Sequence, residues 1–369
     1  MEPVYRGLKI RRPLAIFTEE ERTALITTFK KVKALTKLMR YKEIAKAVAE
    51  VDGLKYFYEK MQFFKLYRHA IFTTQVRVNN ERDQSRRIFI DLSKGELRLR
   101  QIIPRRAIVI KLNKNEIKYI KQRLEENGKL VFAEAWIEDN NLYIALTFKR
   151  DVTLITPKKL IVVDINALHH GLTVGVIGDN GIETLKEFKA PVEKIYFALE
   201  QARVWALAWS LLRYSGAKKK RKKYTQRAYN LIKDFVNRVA HEIVELARQN
   251  QAEIWVDAPF YKSVKELYER KMPRGKKILL AGIRRVAKRI EEQAAWYGIP
   301  TRRITLPSSR CPKCDAKMRE VEGRTMVCDA CGFTAPRDHI PLYWGLRKWR
   351  EKRAQPAPVF SSSLLLAPN

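Results

Sequence analysis

Residues 158–188 read KKLIVVDINALHHGLTVGVIGDNGIETLKEF, and the pattern is three strands joined by short bends. LIVVD is an unbroken apolar run closed by an aspartate, the composition of a strand buried on both faces. Gly171 and the Asp179-Asn180-Gly181 triplet supply the turn chemistry that separates the runs. Helical stretches follow at 191–214 and 224–251, then a short apolar strand EIWVDAP at 253–259. A helix KKILLAGIRRVAKRIEEQAAWYG at 276–298 and a strand TRRITL at 301–306 complete the series. Three antiparallel strands followed by alternating helices and strands predict an α/β layer with a mixed sheet.

Upstream the organisation differs. YRGLKIRRP at 5–13 is strand-like, and Thr18 with Glu21 forms a capping box that opens an amphipathic helix at about 18–39. A second helical stretch at 41–71 carries Tyr56, Phe57, Tyr58, Phe63, Phe64 and Tyr67. These aromatics read first as core; interleaved with lysines, they can alternatively stack on bases. From about residue 74 come TTQVRVNN, RRIFIDL, RAIVIKL, FAEAWIED and NLYIALTFKR, with turns at SKGE and EDNN and one helix, NEIKYIKQRLEENG, closed by Gly128. The expectation is a region over residues 1–155 with a helical insertion at about 18–70 and a β-barrel at about 74–155. The end of the chain, AQPAPVFSSSLLLAPN, is rich in Pro and Ser, and residues 353–369 read as a disordered tail.

Of the 369 residues, 74 are Lys or Arg and 40 are Asp or Glu, a formal net charge of +34. Such an excess repels itself in the folded state, so it points to a polyanionic partner, and phosphate backbones of DNA or RNA fit best. A heat-adapted surface has balanced Lys and Glu instead. No stretch has the length and apolarity of a membrane span or of an export signal, so the expected setting is an intracellular, reducing one without membrane contact. The run KKKRKK, comprising Lys218, Lys219, Lys220, Arg221, Lys222 and Lys223, falls between two helical stretches. It is either a solvated loop or a contact to a nucleic-acid backbone.

The chain has four cysteines, Cys311, Cys314, Cys328 and Cys331, spaced C-x2-C-x13-C-x2-C. Each CxxC can wrap two thiolates around one ion, and the intervening loop lets the two knuckles face each other. This spacing predicts structural Zn²⁺. With four protein sulfurs the coordination sphere is closed, so such a site stabilises a fold and does no chemistry.

Three aspartates sit where a charge is costly. Asp164 ends LIVVD, Asp257 ends IWVD, and Asp338 starts the helix after the cysteine segment. Taken singly they are strand-end turn formers and a helix N-cap. Taken together they can meet at one edge of an α/β sheet, where sites form. Three convergent carboxylates in a basic chain predict Mg²⁺, an ion held by carboxylates together with substrate phosphate oxygens. Two such ions suit phosphodiester cleavage, one activating water and the other stabilising the leaving oxygen.

The series strand-Asp, long basic helices, strand-acid, helix, cysteine ribbon, Arg-Asp resembles the RuvC-like nuclease half of the TnpB family, transposon-associated relatives of the compact type V CRISPR effectors. The resemblance is clearest from residue 160 to about 349 and strongest in RCPKC, CDACGF and the following Arg337-Asp338. Residues 1–155 follow the family's wedge and recognition region in element order. The fold this implies is an α/β RNase H-like (RuvC) domain in two parts, 156–306 and 334–352, with a zinc ribbon inserted at 307–333. An N-terminal β-barrel (wedge) with a helical recognition insertion precedes it. The activity it implies is that of an RNA-guided DNA endonuclease, with Asp164, Asp257 and Asp338 as catalytic Mg²⁺ ligands. A guide RNA from the transposon end would pair with a double-stranded DNA target in the prokaryotic cytoplasm, with the protein nucleoid-associated when bound. No oligomeric state follows from it.

The family ordinarily has Glu at its second acid, where this chain has Asp257, and Asn-Ala after the last Asp, where this chain has DHIPLYWG. One methylene fewer retracts the carboxylate by roughly 1.5 Å, one bond length. His339, His169 and His170 read as surface or capping residues rather than ligands. Two other readings stay open: a nuclease-inactive, RNA-guided DNA-binding repressor derived from TnpB, and a guide-free RNase H-fold transposase or junction nuclease. An acid at all three positions favours cleavage.

Overall fold

The computed structural model describes residues 2–38, 42–51, 71–73, 76–78, 88–103, 106–166, 170–257 and 274–354. The aromatics expected at 56–67, His169 and residues 355–369 of the expected tail lie outside the described residues. The chain divides into two compact units, Met1–Val152 and Thr153–Asn369.

In the first unit, β1 (Glu2–Pro13) pairs antiparallel with β8 (Asn141–Val152) along its whole length. β7 (Lys129–Glu138) joins β8 through Asp139 and Asn140, both at positive φ (49° and 56°), the backbone a two-residue hairpin requires. Adding β2 (Ile71–Thr73) gives the order β1-β8-β7-β2. A second sheet holds β3 (Val76–Val78), β4 (Ile88–Asp91), β5 (Glu96–Ile103) and β6 (Arg106–Lys111) in chain order. The described strands thus form two four-stranded sheets rather than one closed ladder, and β5 is a strand that the turn-to-turn reading passed over.

The helices of this unit start where their caps predict. α1 (Glu19–Leu38) opens on the Thr18–Glu21 capping box, with both reciprocal hydrogen bonds formed. α2 spans Lys42–Val51. α3 (Lys114–Glu125) has a second such box, Asn113 with Glu116. At its other end the left-handed residue is Asn127 (φ 61°), not the expected Gly128. Gly128 instead donates its N–H to the Arg123 carbonyl (2.8 Å), and Asn127 donates to Leu124 (3.0 Å). That pair of bonds closes the helix with Asn in the position more often given to Gly.

The second unit is built on a five-stranded sheet in the order β11-β10-β9-β12-β13. Its strands are β9 (Lys159–Ile165), β10 (Leu172–Gly178), β11 (Gly181–Phe188), β12 (Ala252–Asp257) and β13 (Thr301–Ile304). The first three are antiparallel neighbours, while β12 lies parallel to β9 and β13 parallel to β12. This is the mixed sheet expected from the strand order.

Strand alternation divides the core into two faces. Ile161, Val163 and Ile165 of β9, with Ile254 and Val256 of β12, pack against helices α4 (Val192–Leu212), α5 (Ala217–Asn250) and α6 (Arg274–Ala295). Leu160, Val162 and Trp255 face the other way, toward the cysteine segment and helix α7 (Ile340–Ala354). α7 lies so close to β9 that a Cβ on Gly345 would stand 2.4 Å from Val162 Cγ2, which restricts this helix position to glycine. Buried Glu253 ties the same helix down: it accepts from the Trp255 indole (2.9 Å) and from Lys352 (2.8 Å).

Two expected boundaries shift. The basic run at 218–223 is not a loop between helices but the opening turns of α5, which begins at Ala217. Lys and Arg are good helix formers, and a solvated helix end tolerates their repulsion. Arg353 and Ala354, assigned to the tail, are the last residues of α7.

Candidate active site and metal centre

Asp164 and Asp257 come together by register. They are direct Cα partners at the ends of parallel β9 and β12, so their backbones are one strand spacing, about 4.8 Å, apart. Alternation from Val162 and from Trp255 puts both carboxylates on the face that meets α7 and the cysteine segment. Asp164 is buried, 7% exposed. Burial pushes its carboxyl up to about 7, with the Asp257 charge adding to the rise, a hydrogen bond from Asn166 opposing it, and Asp338 raising it again. Burial likewise lifts Asp257 to about 6, against a Leu306 backbone N–H that donates to it and the nearby Lys348 charge. Two adjacent acids in one desolvated corner disfavour their own ionisation.

Asp338 reaches this corner from the turn Arg337–His339 that leads into α7. Its carboxylate accepts from Arg324 Nη2 at 2.6 Å, and Arg324 also lies near enough to Asp164 to stabilise its anion. Arg324 Nη1 meets His170 Nε2 at 3.1 Å, while Arg324 Nε is buried with no partner. Asn166 donates to Asp164 Oδ2 at 2.7 Å. His339 meets Glu187 of β11 (3.4 Å). Sequence reasoning overlooked Arg324, Asn166 and Lys348. Asn166, two residues past Asp164, was open to a strand-end reading, whereas Arg324 has no spacing signal.

The four cysteines form a separate centre. Strands β14 (Arg319–Val321), β15 (Thr325–Val327) and β16 (Thr334–Pro336) make a small antiparallel sheet beside them. Each knuckle closes in the same way: Asp315 N–H donates to the Cys311 carbonyl and Gly332 N–H to the Cys328 carbonyl, both at 2.9 Å. The residue after each second cysteine is left-handed, Asp315 at φ 63° and Gly332 at φ 73°. All four sulfurs lie within 4.8 Å of one another, with Cys311–Cys331 at 3.5 Å and Cys314–Cys328 at 3.4 Å. Four thiolates about 2.3 Å from a tetrahedral ion sit roughly 3.8 Å apart, so the cluster is positioned to hold a metal ion. Between the knuckles the ribbon presents Gly323 and Arg324, at φ 70° and 62°, and this is how Arg324 reaches Asp338.

The family described as Cas12f1-like, TNB domain, matches residues 284–340, which take in the ribbon and Asp338. The resemblance to compact type V effectors is borne out over that segment. A solved Cas12f1–sgRNA–target DNA complex is 15% identical, with a TM-score of 0.41, over 75% of this chain and 58% of that one. A CRISPR-Cas12f ternary complex is 16% identical, with a TM-score of 0.38, over 64% and 48%. C2c1 of Alicyclobacillus acidoterrestris with a single-guide RNA is 9% identical, with a TM-score of 0.36, over 69% and 49%. The chain thus spans about half the length of these structures. No curated protein matches it in sequence. Among the described residues no helix is long and apolar enough to cross a membrane.

Proposed function

We propose that this protein is an RNA-guided DNA endonuclease of the TnpB type that cleaves phosphodiester bonds at Asp164, Asp257 and Asp338 with Mg²⁺. The observation that supports the reading is the register pairing of Asp164 and Asp257, both with carboxyls raised by burial, with Asp338 near enough to raise Asp164 further and a ribbon of the Cas12f1-like TNB kind beside them. Crowded acids without a cation are costly, and an all-oxygen donor set fits Mg²⁺. When bound, Mg²⁺ supplies an activated water and charge neutralisation at phosphorus. The chain's own residues orient and balance charge. Asn166 fixes one oxygen of Asp164, the Leu306 N–H fixes Asp257, and Arg324 offsets the anionic charge of Asp338. The cysteines would hold structural Zn²⁺. Guide RNA and double-stranded DNA are the partners that the excess of basic residues suits, with pairing providing sequence choice.

Purified with co-expressed transposon-end RNA and given plasmid targets and Mg²⁺, the protein is expected to cut DNA. Tight RNA-dependent binding without cleavage would instead identify a silenced binder, and cleavage independent of RNA a guide-free nuclease.

Asp257 supports a second expectation. Its carboxylate and that of Asp164 extend equally from register partners, and the Leu306 N–H is matched to the shorter side chain. Asp257→Glu is expected to slow plasmid cleavage by about 10- to 100-fold, the scale of a misplacement of about 1 Å. A faster variant would show that the native aspartate is too short for its site.

A further inference from the structure

The helical hairpin of α4 and α5 holds an open cleft of about 360 Å³, within the size class of ligand pockets, which begins near ~300 Å³. Left-handed Arg213 (φ 51°) ends α4 and turns the chain toward α5. Trp209 forms one wall, and Lys218, Arg221 and Lys222 from the first turns of α5 form another. Tyr229 lies one further stripe position along, at the 218, 222, 225, 229 spacing of a single helix face. Thr225 and Gln226 add hydrogen-bonding groups between them. Every charged residue in the lining is basic. The Lys218 ammonium covers one face of the half-buried Trp209 ring at 3.9 Å from its centroid, a cation–π contact made by an exposed lysine that can swing away.

We propose that this cleft binds one unpaired nucleotide of a single-stranded nucleic acid, its base stacked on Trp209 and its phosphates on Lys218, Arg221 and Lys222. The inference deepens the reading of the basic run as a nucleic-acid contact and rests on it. A flat aromatic face beside cations takes any base, and a base still paired in a duplex cannot enter. On binding, Lys218 exchanges the indole face for a phosphate oxygen. Either RNA or DNA presents this chemistry.

The test uses the full chain and single-stranded hexanucleotides with a central 2-aminopurine, in RNA and DNA forms, beside a matched oligonucleotide with an abasic centre. Binding is expected to quench the 2-aminopurine and to favour the base-bearing oligonucleotide; success with RNA or with DNA supports the cleft and assigns its source. Trp209→Ala should weaken binding about 5- to 150-fold, the loss of one base–aromatic stack, with the salt slope unchanged. Trp209→Phe should retain most of the affinity, and melting curves of both variants check that the hairpin stays folded. Replacing Lys218, Arg221 and Lys222 by Gln should reduce the salt slope by about 2, at roughly 0.7 for each phosphate left without its cation. If that slope falls while Trp209→Ala binds as the parent does, the nucleotide pocket is overturned and the backbone contact stands. An unchanged slope overturns both.

Discussion

An Asp164→Asn variant is expected to lose DNA cleavage by about 10³-fold, the scale on which enzymes lose rate when a charge-stabilising group is removed, and yet to melt higher than the parent in metal-free buffer at neutral pH. On the proposed Mg²⁺-dependent reading, activity and stability part because the carboxylate serves a cation and not the fold. In the folded chain burial and the Asp257 charge raise its pKa to about 7, against about 3.9 in an unfolded chain. Between those values the folded state binds the additional proton, so the metal-free parent loses stability as pH rises from about 4 to 7. Asparagine carries no charge to desolvate, and its carbonyl can still accept from Asn166. The gain in melting temperature should therefore shrink toward nothing near pH 4. Adding Mg²⁺ should raise the parent's melting temperature and leave the variant's nearly unchanged, since only a ligand that prefers the native state stabilises it. An Asp164→Asn chain that melts lower than the parent at every pH would show the carboxylate to be a structural group.

What the sequence made legible depended on whether the signal was local. An acid closing an apolar run marked Asp164 and Asp257, and parallel pairing of two such runs brings them together without further help. The cysteine spacing marked the ribbon for the same reason: each knuckle is a local turn. Arg324 was not legible, because its position depends on two left-handed residues that turn the ribbon toward Asp338. The basic run was read as lying between two helical stretches, whereas the helix propensity of Lys and Arg places it in the first turns of α5. β5 was missed because arginines interrupt its buried residues, Leu97, Leu99 and Ile103, so no apolar run stands out.

Cys328→Ser is the change expected to reach furthest through the structure. Cys328 and Cys311 are fully buried, and their cluster is continuous with Leu306, Met318, Met326, Leu342 and Trp344. Structural Zn²⁺ contributes about 10–16 kcal/mol to the folding of isolated zinc-finger peptides, so the ribbon is expected to unfold when one thiolate is removed. The opposite face of the sheet has its own core with α4, α5 and α6, and should persist. The ribbon should then be unfolded before heating begins, with limited proteolysis cutting first within residues 307–336 while the α4–α6 side of the sheet still resists. Metal analysis should fall from one zinc per chain to none. Cleavage should be lost although Asp164 and Asp257 remain paired, because Arg324 leaves with the ribbon and Asp338 loses its anchor. Brief chelation of the parent separates the two metals: activity should return on adding Mg²⁺ alone while zinc stays bound. A Cys328→Ser protein that lacks zinc and still cuts at the parental rate would show that the ribbon has no part in setting Asp338.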